Sequence, residues 1–234
     1  VNKTTAILLA AGKSERIGKD LPKPFLLLKE KPIYKYSLDI LLEDSRIDEI
    51  LFVLPQSQIA TITQKFENKT FDKTLRLIAG GASRFESVYL AVQELDEETT
   101  HVIIHDAARP FLVKNQIKKL VKNLSTCKAI SFAMESTDTL VFSPTGTTAA
   151  AYPDRNNYKR IQTPQAFEAK LLKKAFDMAY KNEKTDFTDE SSLVHFFDLA
   201  EVLLLPGNPE NIKITYPEDL RYAEFLLNEE KYTK

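Results

Sequence analysis

An α/β fold, with a mostly parallel twisted sheet and helices on both faces, follows from three features of the sequence. Short apolar runs rich in β-branched residues, TTAILLA (4–10), EILFVLP (49–55) and LRLIA (75–79), alternate with amphipathic stretches, which is the rhythm of βαβ units. The first run passes directly into a glycine turn and spaced cations, LLAAGKSERIGKDLPKPF (8–25), as a strand-to-loop phosphate site would. At 234 residues and 43% hydrophobic content, the chain can bury a sizeable core as a single domain, 1–234.

The elements follow in order. Residues 32–43 are expected to form a helix between the first two strands, and a polar helix runs to about residue 68 before the third. Ser83 with Glu86 three residues on makes a capping box ahead of Val88, Ala91, Val92 and Leu95, so a helix spans about 83–93. A fourth strand is predicted at 101–105, a helix at 113–124 and a fifth strand at 129–134. The rhythm then breaks. TDTLVFSPTGTTAAAYPDRNNYKRIQ (137–162) holds two short β-like runs about a turn at 143–146, which predicts a protruding β-hairpin arm at about 136–160. RIQTPQAF (160–167) suggests the start of a helix, with Pro164 in its first turn. Helices are expected at about 168–181 and 188–197, strands at VLLLP (202–206) and NIKIT (211–215), and a last helix from Pro217 with Thr215 as its cap and Glu218 three residues later.

Charge and cysteine usage narrow the function classes. A net charge of -1 leaves no bulk electrostatic footprint for nucleic acid or an acidic membrane, so anion binding must come from local clustering such as Lys13, Arg16, Lys19 and Lys23. The single cysteine, Cys127, excludes an internal disulfide, and with three histidines a zinc site is not expected. AILLAA is too short for a secretory core, and no run approaches the ~20 apolar residues of a membrane span. A soluble, cytoplasmic chain is the expectation.

The chemistry gathers where strands end. In open α/β sheets, ligands sit beyond the carboxyl ends of the strands where strand order reverses. A 3-2-1-4 order would open the glycine loop and HDAARP (105–110) onto one crevice. The glycine loop is neither a Walker loop nor a dinucleotide fingerprint, since the spacing of Gly12 and Gly18 fits neither. Gly12 would let the backbone approach a ligand, with Arg16 and Lys23 reaching phosphates. Asp106 would accept from hydroxyls and Arg109 would anchor the loop or an anion, whereas His105 reads as structural. Lys213, between Ile212 and Ile214, would face away from both on a strand and either snorkel to water or meet an anion. Thr188 to Glu190 reads by default as an N-cap followed by acids that favour the helix dipole.

Taken in order, LLAAGKSERIG with PKPF, GGASRFESV, HDAARPF, DRNNYKRIQTPQAF, FTDESSLV and NIKITYPED resemble the signature segments of the 2-C-methyl-D-erythritol 4-phosphate cytidylyltransferase family. The resemblance implies a Rossmann-like nucleotidyltransferase domain, a homodimer through the β-arm. It implies cytidylyl transfer from CTP to methylerythritol phosphate in non-mevalonate isoprenoid synthesis. By matching position, Ala10, Ala11, Gly12, Gly81, Ala82, Arg84 and Ser87 belong to the cytidine pocket. Arg16, Lys23 and Lys213 match the cations about the reacting phosphate. Asp106 and Arg109 match acceptor contacts, with Thr163 and Thr188 near the substrate, and Thr139 and Arg155 match residues reaching a neighbouring subunit's site. Magnesium is implied, held mainly by the CTP phosphates with Asp106 as the one side-chain candidate. Pro24, where the family usually has glutamine, and Phe85, where a polar residue is common, are departures expected to reshape the pocket edge.

The nearest rival is a ribitol-5-phosphate cytidylyltransferase, against which AAG, HDAARP and TDE argue. From another class, a non-catalytic nucleotide sensor would not need Arg16, Lys23 and Lys213 together. A nicotinamide dehydrogenase lacks its glycine spacing.

Overall fold

Apolar runs this short and continuous stay dry only when helices cover both sides of the sheet they form. The computed structural model of the chain, which describes residues 2–12 and 22–229, has that arrangement. Its main sheet has seven strands: β1 (Lys3–Leu9), β4 (Glu49–Leu54), β5 (Thr74–Ala79), β6 (Thr99–Asp106), β7 (Ala129–Glu135), β8 (Lys159–Glu168) and β9 (Val202–Pro206). Their order is β5-β4-β1-β6-β8-β7-β9, with β8 antiparallel to both its neighbours and the remaining pairs parallel. The two-residue strands β2 (Leu27–Leu28) and β3 (Lys31–Pro32) pair separately.

Strand alternation sorts the core into two layers. Leu8, Phe52, Leu54 and Ile103 point to the side covered by α1 (Ile33–Glu43), α2 (Gln56–Phe66) and α4 (Lys114–Asn123), meeting Leu38, Leu41, Ile62, Ile117 and Leu120. Ile7, Leu51, Val53, Val102 and Ile104 point to the other side, onto Val88 and Val92 of α3 (Arg84–Gln93), Leu172 and Phe176 of α5 (Ala169–Lys181) and Leu193 of α6 (Glu190–Phe196). Full burial of each such side chain contributes roughly 1.5–3 kcal/mol. Among the described residues, no helix is long and apolar enough to cross a membrane.

Several expectations are corrected. Residues 160–167 begin no helix but lie in β8. The pairing of β7 with β8 jumps from Gln165 opposite Ser131 to Gln162 opposite Phe132, so Thr163 and Pro164, joined by a cis peptide, form a bulge where proline's missing N–H costs no ladder bond. NIKIT is not a strand: Ile212 N donates to Glu210 O and Ile214 N to Ala108 O, and no ladder forms. The arm at 136–160 keeps its turn, with Gly146 at φ 76°, but its two runs reduce to one β-bridge, Phe142 to Ala151. Asp189, not Thr188, caps α6, accepting from Ser192 N. The last helix, α7 (Pro217–Leu226), is capped at Tyr216, where Asp219 rather than Glu218 closes the turn by accepting from Thr215 N and Tyr216 N. Ser83 does cap α3, accepting from Glu86 N.

Candidate active site

Strand order reverses between β1 and β6, so their carboxyl ends diverge into a crevice, as open parallel sheets require of a ligand site. A cleft of about 350 Å³ opens there. Its walls come from the ends of β1 and β6, the loop between β5 and α3, the turn at 22–26 and the segment at 211–215, bringing together residues nearly 200 positions apart in the chain.

Backbone forms one wall. Leu9, Ala11 and Gly12 face Gly81, Ala82 and Ser83. The two loops touch closely at Gly80, where a Cβ would stand 2.3 Å from Ala11 Cβ and force them apart, while one on Gly81 would stand 2.3 Å from Cγ of Glu86 in the first turn of α3. Ser87 holds this turn from behind, accepting from Gly81 N at 3.1 Å and donating to Ser83 O at 2.8 Å. Glu86 accepts from Ala82 N at 2.7 Å.

Charge forms the other. Lys23, Arg84 and Lys213 line the cleft against one carboxylate, Asp106. Lys213 Nζ donates to Asp106 Oδ2 at 2.7 Å and Arg84 Nε to Asp106 Oδ1 at 3.2 Å. Behind Arg84, its Nη1 and Nη2 donate to Glu190 Oε1 and Oε2 at 2.7 and 3.0 Å. Burial alone would raise the Asp106 pKa, but Arg84 and Lys213 outweigh it and hold the carboxyl well below the usual carboxylate range. Burial likewise opposes the Arg84 charge, and Glu190 and Asp106 reverse that, raising its pKa. Lys23 Nζ donates to Thr215 O at 2.8 Å, two residues beyond Lys213, which places the two lysines on neighbouring parts of one wall.

The segment at 211–215 is fixed by polar contacts in place of a ladder. Asn211, fully buried, donates from Nδ2 to Thr163 O at 2.7 Å, while its own carbonyl accepts from Arg109 Nη1 at 2.8 Å. Ile214 is buried against Leu28, Ile33 and Phe111. Lys213 thus extends from a rigid loop and not from a strand face.

The expected site residues divide accordingly. Ala11, Gly12, Lys23, Gly81, Ala82, Arg84, Asp106 and Lys213 line the cleft. Ala10 and Ser87 are buried just behind it. Arg109 supports the 211–215 segment, and burial pulls its pKa down. Thr163 Oγ1 accepts from Asp106 N at 3.1 Å, which seats the carboxylate from below without lining the cleft. Thr188 is exposed beside α6, and Thr139 and Arg155 are exposed on the 136–160 segment, where Arg155 donates to Thr137 O. Arg16 lies outside the described residues. Of the two departures, Pro24 lines the cleft, whereas Phe85 turns into the core against Phe176 and Phe187 and leaves the pocket edge unchanged. Glu190 and Asn211 were missed: the first looked like a dipole acid, the second like an ordinary strand residue.

The model of the family described as IspD, 2-C-methyl-D-erythritol 4-phosphate cytidylyltransferase, matches residues 4–229. A protein of that description from Lachnoclostridium phytofermentans is 34% identical over 98% of this chain and 98% of its own, and one from Clostridioides difficile is 36% identical over 97% and 94%. The crystal structure of 4-diphosphocytidyl-2C-methyl-D-erythritol synthase from Anaerococcus prevotii superposes with a TM-score of 0.85 at 30% identity, covering 97% of this chain and 96% of that one. The bifunctional IspDF from Campylobacter jejuni matches 94% of this chain with 54% of its own, at 30% identity and a TM-score of 0.78. The chain belongs to the 2-C-methyl-D-erythritol 4-phosphate cytidylyltransferase family.

Proposed function

We propose that the cleft transfers a cytidylyl group from CTP to 2-C-methyl-D-erythritol 4-phosphate, giving 4-diphosphocytidyl-2-C-methyl-D-erythritol and pyrophosphate. The observation that carries this is the pairing of an uncharged backbone wall with Lys23, Arg84, Lys213 and the ionised carboxylate of Asp106. The wall of Ala11, Gly12, Gly81 and Ala82 offers backbone to a base edge, with Gly81 and Ala82 left to accept through their carbonyls because Ser87 and Glu86 already take their N–H groups, and the cations face the phosphates.

The acceptor is already a phosphate anion, so no side-chain nucleophile is needed. An acceptor oxygen attacks the α-phosphorus, the bond to the bridging oxygen breaks, and pyrophosphate leaves with the electron pair. Bringing the two anions together is the main obstacle, and positioning and electrostatics overcome it in phosphoryl chemistry. Unit charges ~4 Å apart at an effective dielectric of ~20 interact by about 4 kcal/mol, so Lys23 and Lys213, with Arg16 as the third expected cation, offset much of the repulsion. Asp106 spends one lone pair of each oxygen on Arg84 and Lys213 and keeps others for the polyol hydroxyls.

Magnesium fits this donor set only as an ion carried by the nucleotide. Among the described residues no cluster of three potential ligands exists, and Asp106 is the cleft's one carboxylate. An ion that keeps several waters and takes phosphate ligands suits such a site. When bound, it neutralises charge on the leaving pyrophosphate.

The reading extends to a homodimer through the 136–160 segment, where Thr139 and Arg155 would serve a neighbouring subunit's site. Val141, Phe142, Tyr152 and Tyr158 are exposed there at 49%, 60%, 72% and 49%, apolar surface that a second copy would cover. Pyrophosphate release from each nucleoside triphosphate, with methylerythritol phosphate or ribitol phosphate and magnesium, tests the activity. Release is expected with CTP and methylerythritol phosphate. Preference for ribitol phosphate would move the enzyme to the rival substrate, and no release with CTP would refute the reading.

A further inference from the structure

Among the described residues, the one carboxylate lining the cleft, Asp106, touches a guanidinium held by a side chain that does not line it. Glu190 is 2% exposed, and its two oxygens occupy the two terminal nitrogens of Arg84. With that fork engaged, Arg84 has its Nε–H left for Asp106 Oδ1, and Asp106 Oδ2 is left for Lys213. Glu190 is itself held in place. Asp189 beside it caps Ser192 N through Oδ1 at 2.9 Å, and through Oδ2 accepts from Gln165 Nε2 of β8 and from Ser191 Oγ, each at 2.8 Å. A line of contacts thus runs from β8 through the start of α6 to Arg84 and then to the end of β6.

We propose that Glu190 is a positioning residue for the acceptor: by occupying the Arg84 fork, it fixes the rotation of the Asp106 carboxylate and keeps Lys213 on Oδ2. The proposal rests on the cytidylyl-transfer reading and deepens it. A guanidinium fork takes a carboxylate two-to-two wherever geometry allows. Without Glu190, the carboxylate already in contact with Arg84 is Asp106. Arg84 would then take both Asp106 oxygens, displace Lys213 and consume the lone pairs meant for the polyol. A role limited to holding α6 would instead lower the yield of folded enzyme and leave the substrate constants of the remainder unchanged.

The test is steady-state pyrophosphate release by the parent, E190Q, E190D, D106N and the double variant E190Q/D106N, with each substrate varied in turn. E190Q keeps the side-chain length but offers one acceptor where the fork needs two. Its KM for methylerythritol phosphate should rise about tenfold, with KM for CTP within about twofold, as expected of residues coupled through one charge network. E190D, with both acceptors restored, should recover part of the loss, and the double variant should match D106N alone. An unchanged acceptor KM in E190Q, a rise confined to CTP, or effects that multiply in the double variant would overturn the proposal. Should E190Q not fold, E190D carries the test: a raised acceptor KM supports the proposal and an unchanged one overturns it. A parent inactive with CTP overturns the reading and the proposal together, whereas an active parent with unaltered variants overturns the proposal alone.

Discussion

His105 lies fully buried one residue before Asp106, with Nε2 donating to Arg109 O at 3.0 Å and Nδ1 without a partner among the described residues. A proton on Nδ1 would be stranded, so burial pushes the ring's pKa from 6.5 down to about 4 and His105 stays neutral at neutral pH. The sign follows from linkage. The unfolded chain binds this proton more readily, so the stabilising contribution is complete above pH 6.5 and declines as pH falls towards about 4. In urea unfolding, taking the parent from pH 7.5 to 5 should cost about 2 kcal/mol more than the same change costs His105→Gln. Equal losses would show that His105 titrates normally in the fold. Asp106, held ionised by Arg84 and Lys213, contributes in the same direction only at more acid pH, below the ordinary carboxylate range.

Among the elements, what was legible in the sequence is what hydrophobic burial alone determines. TTAILLA, EILFVLP and LRLIA are strands because unbroken apolar runs need cover on both faces, and the alternation of Ile7 with Leu8 or Val53 with Leu54 sends neighbours into opposite layers. The 3-2-1-4 order put Gly12 and Asp106 on one cleft. Legibility ended where long-range polar contacts decide. Ile212, Lys213 and Ile214 alternate like a strand, yet Asn211 and Arg109 pin that segment as a loop, and neither contact leaves a local signature. Pro164 suggested a helix start, and only the pairing of β7 with β8 reveals the bulge that accommodates it. Asn211→Ala should leave the Thr163 carbonyl without its donor, at a cost of about 2 kcal/mol. For a chain of this size that lowers Tm by roughly 4–8 °C. A Tm within a degree of the parent's would show that the segment is held by Ile214 packing alone.

For the whole molecule, the 136–160 segment pairs through one β-bridge, Phe142 to Ala151, and exposes Val141, Phe142, Tyr152 and Tyr158, as expected of a surface completed by a second copy. Replacing Phe142 and Tyr152 with serine should convert a dimer to a monomer in sedimentation velocity and weaken use of the sugar phosphate. A parent that sediments as a monomer at micromolar concentration would rule out the arm as an interface. The cleft depends on the molecule at the same scale, since it needs the ends of β1 and β6, the 22–26 turn and the 211–215 segment held at once. The claim that its cations act on the reacting phosphates is tested most directly by the single-turnover rate of pyrophosphate release from Lys23→Met, with CTP, methylerythritol phosphate and magnesium all saturating. The account predicts a fall of about a hundredfold or more with CTP affinity changed only a few-fold, and a rate equal to the parent's would contradict it.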